Sequence, residues 1–286
     1  MPKLDSIFQP YELRRELARW EIKRTERLLL EEQFKDISAW FDVVELHIPY
    51  TKFRMLKIAM QETKKRKDKK KILVINGDSL NLDMFSKFYR RSSADSTPSE
   101  EFGMLLRVME DAHKVYDHIL YLTTNHENRF EKIVIDSIGD KTVAKELLKF
   151  MNSFKDIFEE AGYNKVVYVS NYLFQIGDVI VCHFENNSIA AGKVGRDIVQ
   201  YLTPRLSKEW NIAYDSHTHS QSKIAIDRKV VIETGGMLDS LDYWRDGKMK
   251  GRGKMSTIGY GKGRLKNGKA ILNDCDFHIC GWEGYL

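Results

Sequence analysis

Five short polar islands hold the side chains of this chain that could do chemistry: Glu45-Leu46-His47, Gly77-Asp78, Asn125-His126-Glu127, Cys182-His183 and His217-Thr218-His219. Imidazole and carboxylate groups are ligands for manganese, iron or zinc rather than for calcium or magnesium. Each island ends an apolar run (FDVV, KILVIN, HILYLTT, DVIVC, WNIAY) that reads as a buried strand. Strand ends gathered on one edge of a sheet bring distant residues around a single point. An Asp, an Asn and four His placed this way predict a site for two metal ions. Ions about 3.5–4 Å apart need a shared carboxylate, and Asp78, short and at a strand end, is placed for it. His217 and His219 alternate along what reads as an extended segment, so they point to one side. Asp42 and Asp83 read as outer or surface acids. Arg129 reads as a contact for substrate phosphate or as a structural ion pair.

The elements that must position these groups follow from periodicity. Residues 11–35 read as a helix and 40–46 as the first strand. A helix over 51–62 leads through a basic run to strand 72–76, and 84–90 reads as a short helix. Thr97-Pro98-Ser99-Glu100 is a helix start with a capping box, opening a helix that runs to Val115. Strand 118–123 comes next, then helical pieces over 128–161 broken at Gly139-Asp140. Short strands are expected at 165–170, 172–176 and 178–182, a helix over 188–203, a strand at 211–215 and a hairpin from Lys223 to Thr234. Strand–helix alternation early and hairpins late predict an α/β fold, with mixed sheets covered by helices. One domain over 1–286 is expected, with a core at about 38–236, an N-terminal helical extension 1–37, and a basic glycine-rich loop with C-terminal strands over 237–286.

Composition sets bounds. The chain has 286 residues, 42% hydrophobic and 30% charged, enough for a sizeable core. Mean hydropathy is −0.45. No run approaches the ~20 apolar residues of a membrane span, so no membrane association is expected. The first thirty residues are charged throughout, unlike a secretory signal. Three cysteines make no disulfide framework and fit a reducing, cytoplasmic setting, with Cys182 a core residue. The net charge of +5 is clustered. Residues 64–71 read KKRKDKKK. Residues 245–269 are rich in lysine, arginine and glycine, and a flexible positive loop of this kind could follow a phosphate backbone.

In order along the chain the islands resemble the calcineurin-like metallophosphoesterase family, whose pattern runs DxH, GD, GNH(D/E), a lone His and GHxH. The resemblance covers about residues 40–236. It implies a metallophosphoesterase-like four-layer α/β/β/α sandwich of mixed sheets, with an N-terminal helix and a C-terminal β-rich appendage. It implies one metal held by Glu45, His47, Asp78 and His219, and a second by Asp78, Asn125, His183 and His217. A hydroxide bridging the ions would attack phosphorus in line, with His126 beside the leaving oxygen as proton donor or as a cation on the phosphate. Manganese is the first expectation for both ions, with iron, zinc or nickel able to fill the same ligands.

The chain departs from the pattern in places. Glu45 stands where the family has Asp; its extra methylene means that either the backbone is set back or the first metal binds differently and more weakly. Thr124 and Ser216 replace glycines, which predicts rebuilt loops. Asn81 stands where the phosphatase branch has Asp, which disfavours Ser/Thr protein phosphatase chemistry, with Asp83 as a substitute partner for His126. The basic tracts favour a polyanion. The first expectation is therefore a phosphodiesterase acting like a nuclease on DNA or RNA, with Lys250, Arg252, Lys254 and Arg129 as substrate contacts. Two alternatives are a phosphatase or diesterase for a small nucleotide or phosphoprotein, and a non-catalytic nucleic-acid-binding protein with a degenerate metal site.

Overall fold

The computed structural model describes residues 38–85, 96–124, 126–138, 154–169, 173–184, 192–204, 206, 209–238 and 257–280. The expected helix over 11–35, the break at Gly139-Asp140, Asn125, Lys250, Arg252 and Lys254 lie outside the described residues.

Strand β2 (Lys70–Asn76) shows why these segments are strands and which faces they bury. Along it Ile72 and Val74 point into one apolar layer and Leu73 and Ile75 into another. The period of two puts a β-branched or leucine side chain on each face, so the strand must lie between two layers. It pairs in parallel with β1 (Ala39–Val44) and β3 (His118–Leu122), and β3 pairs in parallel with β4 (Val166–Val169). On the other side of β1 the antiparallel strand β10 (Gly259–Lys266) carries β11 (Lys269–Ala270) and β12 (Asp276–Ile279), completing a seven-stranded mixed sheet.

A second mixed sheet runs β5 (Leu173–Ile176), β6 (Val179–Cys182), β7 (Ile212–Asp215), β9 (Lys229–Thr234), β8 (Gln221–Ile226), with β6, β7 and β9 parallel. The sheets face each other across Phe41, Val43, Ile72, Val74 and Leu120 from one and Val181, Ile212, Tyr214 and Ile232 from the other. Helices α1 (Phe53–Lys64), α2 (Pro98–His113) and α4 (Phe154–Glu160) cover the outer face of the larger sheet through Leu56, Met60, Leu105, Met109 and Phe158. Helix α5 (Lys193–Leu202) covers the smaller one through Val194, Ile198, Val199 and Leu202. The order of layers is helix, sheet, sheet, helix, as expected. Between β3 and α4, helix α3 (Asn128–Ile138) begins beside the third polar island. The capping box at Thr97 and Glu100 forms on both sides, as its sequence predicts. Among the described residues no helix is long and apolar enough to cross a membrane.

The largest departure concerns the basic glycine-rich segment 245–269. Its second half is no loop but strand β10, paired with β1 from Ala39↔Leu265 to Val43↔Gly261. The alternating glycines are there because side chains of the neighbouring strand β1 and of the facing sheet press on them. A Cβ on Gly261 would lie 2.7 Å from Thr234 Cγ2 and Tyr214 Cδ1, and one on Gly263 would lie 2.4 Å from Phe41 Cζ. Close approach of two layers, not flexibility, explains glycine here. A smaller departure is at 84–90, where the described part is a single 3-10 turn, Asp83–Phe85.

Candidate metal centre

The ends of parallel strands deliver the polar islands to one place. Glu45 and His47 follow β1, Asp78 follows β2, His126 follows β3, His183 follows β6 and His217 follows β7. All of these side chains except His217 are nearly fully buried. His47, Asp78 and His219 each have positive φ (54, 41 and 50°). Three non-glycine residues held in the left-handed region at one spot are strain of the kind that collects at functional sites.

Asp78 is central. Its Oδ2 lies 3.6 Å from His47 Nε2, 3.4 Å from His183 Nε2 and 3.6 Å from His126 Nε2. Glu45 Oε1 lies 3.2 Å from both His47 Nε2 and His219 Nε2, so the longer side chain does reach the cluster. Among the described residues, three overlapping groups have ligand atoms close enough to hold an ion: Glu45-His47-His219, His47-Asp78-His126 and Asp78-His183-His217.

The hydrogen bonds fix which ring atoms are offered. His183 Nδ1 donates to the Asn76 carbonyl at 3.0 Å, and His47 Nδ1 meets Asn81 Oδ1 at 3.0 Å. Their Nε2 atoms therefore turn inward, at 2.9 Å from His217 Nδ1 and 3.1 Å from His219 Nε2 respectively. Ring nitrogens converging this closely, with their other nitrogens already committed to oxygen acceptors, fit a shared cation. The second oxygen of Glu45 is buried without a hydrogen-bond partner, which fits a ligand that is still to be bound. The donor set thus suits two adjoining divalent ions.

Without such ions, protons take their place. Burial lowers His183, but the carboxylates of Asp78, Glu45 and Asp215 outweigh it and push the ring up to about 10. His47 is raised in the same way by Glu45 and Asp78. Asp78 and Glu45, which burial alone would raise, are held well below the usual carboxylate range by the surrounding histidines. Burial and the neighbouring His183 push His217 down to about 3.

The structure answers the departures noted in the sequence. Thr124 and Ser216 do not have left-handed backbones. The Thr124 hydroxyl bonds the Asp78 carboxylate and accepts from Asp78 N–H at 2.7 Å. Ser216 Oγ accepts from Asn76 Nδ2 at 2.7 Å. Both replacements fasten ligand loops. Residues 216–219 form a tight turn closed by His219 N–H to the Ser216 carbonyl, not an extended segment, and the turn rather than alternation aims both histidines inward. Asp83 does not partner His126. His126 Nδ1 donates instead to the Asn81 carbonyl at 3.0 Å, while Asp83 takes the Tyr50 hydroxyl at 2.7 Å and lies 3.9 Å from Arg129. Asp42 is remote, buried under α1 with Trp40, Thr63 and Tyr116.

Arg129 joins the cluster, with Nη1 on the Asn81 carbonyl at 2.5 Å and Nη2 at 2.7 Å from His126 Nε2. Two residues take positioning roles that the sequence does not assign them. Glu127 accepts from Ser79 N–H, Ser79 Oγ and the Thr124 backbone and hydroxyl, tying the second island to the third. Asn76 ties β2 to β6 and β7, donating to the Cys182 carbonyl and Ser216 Oγ, both at 2.7 Å. A polar residue closing an apolar strand just before Gly-Asp was the available signal for Asn76.

No protein-family model and no curated protein matches the chain. Solved structures do. Vps29 from Entamoeba histolytica complexed with zinc is 8% identical, with a TM-score of 0.40 over 84% of this chain and 98% of that one. An archaeal phosphodiesterase is 13% identical, with a TM-score of 0.39 over 84% and 99%. Vps29 from Cryptosporidium parvum is 12% identical, with a TM-score of 0.40 over 81% and 87%. At these values the chemistry of this chain is read from its own side chains.

Proposed function

We propose that the chain is a metal-dependent phosphoester hydrolase that opens phosphodiesters, with DNA or RNA as the substrate class. The observation that carries the reading is Asp78 Oδ2 lying between His47 Nε2 and His183 Nε2, at 3.6 and 3.4 Å, where one carboxylate can serve two neighbouring ions. Glu45, His47, Asp78 and His219 would hold one ion, and Asp78, His183 and His217, with Asn125, the other. Manganese is the proposed metal. When bound, the two ions lower the pKa of a water and neutralise charge on phosphate oxygens.

The chain's own residues supply the rest. Asn81 and Asn76 orient His47 and His183 so that Nε2 faces inward. Arg129, held by the Asn81 carbonyl, presents a fixed cation beside His126 for a phosphate oxygen. His126, next to Asp78, is the group placed to exchange a proton with the leaving oxygen. The choice of a polyanion is supported by the clustered basic residues of 64–71 and 245–254.

The test is hydrolysis by metal-stripped protein reloaded with manganese. Substrates are labelled single- and double-stranded DNA and RNA, bis-p-nitrophenyl phosphate and p-nitrophenyl phosphate. Polymer cutting with preference for the diester supports the proposal. Hydrolysis of small esters with polymers left intact would move the assignment to a small nucleotide or phosphoprotein. Polymer binding without turnover under any metal would mean a non-catalytic binding protein. Asp78→Asn or His183→Ala should abolish turnover and lower metal content.

A further inference from the structure

At the opposite end of β1 from the metal centre lies an open cavity of about 750 Å³. Lys65, Arg66, Lys67, Arg264 and Lys266 line it. From Ser38 on its wall to Glu45 is roughly 20 Å at about 3.3 Å per strand residue. We infer that this cavity is a second phosphate-binding site, for a polyphosphate chain, separate from the metal centre.

Three observations point that way. The cations are built in rather than merely exposed. The Arg66 guanidinium lies 3.4 Å from the centre of the Trp40 ring and that of Arg264 5.8 Å from it. Trp40 itself is 3% exposed and anchored through Nε1 to Asp42. A guanidinium stacked on an indole is fixed in its plane and keeps N–H donors at its edge for an anion. The acids of the cavity are also already engaged. Asp68 pairs with Arg264 at 2.8 Å, and Glu62 accepts from the Tyr260 hydroxyl at 3.3 Å. Lys65, Lys67 and Lys266, by contrast, are exposed and have no carboxylate partner among the described residues. Finally, the charge exceeds structural need. Cations near the end of α1 complement its dipole, but that effect is small and falls off within a turn. Arg264 is met by Asp68 and Asp274, but Lys65, Lys67 and Lys266 still bring to one cavity three cations unpaired among the described residues, and these repel each other unless an anion joins them.

Tripolyphosphate and a short single-stranded oligonucleotide carry this chemistry from two sources. Each is titrated, in EDTA, into full-length protein labelled with 5-fluorotryptophan, and the Trp40 fluorine signal, assigned by Trp40→Phe, is followed. Because no divalent ion is present, the result stands apart from the metal-centre reading. Both probes should shift the Trp40 signal and compete with each other. The Lys65→Gln/Lys67→Gln/Lys266→Gln variant, altered only at exposed positions, should bind at least about tenfold more weakly, with a salt slope shallower by about two to three. Tighter binding of the oligonucleotide per phosphate assigns the site to a nucleic-acid backbone, and tighter binding of tripolyphosphate assigns it to a small phosphorylated molecule. A Trp40 signal unmoved by either probe, or equal affinity in the folded triple variant, overturns the inference. Lys67→Glu alone provides a second check, with the same direction expected.

Discussion

His126 Nε2 accepts a 2.7 Å hydrogen bond from Arg129 Nη2, while its Nδ1 donates to the Asn81 carbonyl. The ring is therefore a neutral imidazole with its lone pair turned to an arginine. Burial is the main reason its pKa lies well below the ordinary histidine range, and the Arg129 cation adds to it against the pull of Asp78. Removing the cation must let the pKa rise. Arg129→Gln should move the His126 titration to higher pH in long-range proton–nitrogen spectra of the metal-free protein. In the loaded enzyme, His126→Ala should cut diester turnover about a hundredfold or more with metal content unchanged. An unmoved titration in Arg129→Gln would remove the arginine from any electrostatic role at this histidine.

Metal uptake should release protons. His183, raised to about 10 by Asp78, Glu45 and Asp215 against its burial, carries a proton at neutral pH, and His47 is raised as well. Both must be neutral to bind an ion. Affinity for manganese should therefore climb with pH across the range from 7 towards about 10, by one log unit per pH unit for each proton displaced. Calorimetry in buffers of different ionisation enthalpy counts those protons. Uptake without proton release at pH 7 would mean that these histidines are not the ligands.

The glycines of β10 permit close packing of the two sheets, so adding a methyl there should overpack the core. Gly263→Ala would bring Cβ to 2.4 Å from Phe41 Cζ and 2.8 Å from the Tyr214 hydroxyl. A loss of about 1–3 kcal/mol is expected in urea unfolding. Gly103→Ala, inside α2 where a Cβ meets nothing within 4 Å, should instead gain about 0.5–1 kcal/mol. Equal stability of the Gly263→Ala protein and the parent would mean that Phe41 and Tyr214 give way at no cost.

What could be read in the sequence and what could not divide along physical lines. Local signals were reliable. The apolar runs FDVV, KILVIN, HILYLTT, DVIVC and WNIAY supply strands β1, β2, β3, β6 and β7, and the residues just past them do converge. The Thr97 cap is a short-range hydrogen-bond pattern and formed as written. Signals that depend on partners distant in sequence were misread. Gly261 and Gly263 looked like flexible chain, because the aromatic and β-branched groups that require glycine lie far off in sequence, at Phe41, Tyr214 and Thr234. The same holds for Thr124 and Ser216. Read alone they are poor substitutes for glycine; in place, their hydroxyls bond Asp78 and Asn76. Asp83 failed as the partner of His126 because a backbone carbonyl, which no sequence pattern displays, took that position.

Asp42 offers a test away from the metal centre. Its carboxylate is fully enclosed and accepts from Trp40 Nε1 at 3.0 Å, Thr63 Oγ1 at 2.6 Å and Tyr116 Oη at 2.8 Å. Burial raises its pKa from 3.8 to about 6, more than those three donors and the Arg66 cation lower it. An acid whose pKa is higher folded than unfolded binds more protons in the native state, so stability falls as pH rises between the two values. The loss is fully present above about 6 and amounts to roughly 3 kcal/mol. Asp42→Asn does not titrate, and its amide would face one of the three donors, at a pH-independent cost of about 1–3 kcal/mol. The stability of the Asn variant relative to the parent should therefore improve by roughly 2–2.5 kcal/mol between pH 4 and pH 7. Urea unfolding of both proteins across that range measures the difference directly, since other titrating groups such as Glu101 and Asp215 are common to both. A gap that stays constant with pH would show that Asp42 keeps an ordinary carboxylate pKa under α1, and that its three donors balance its burial.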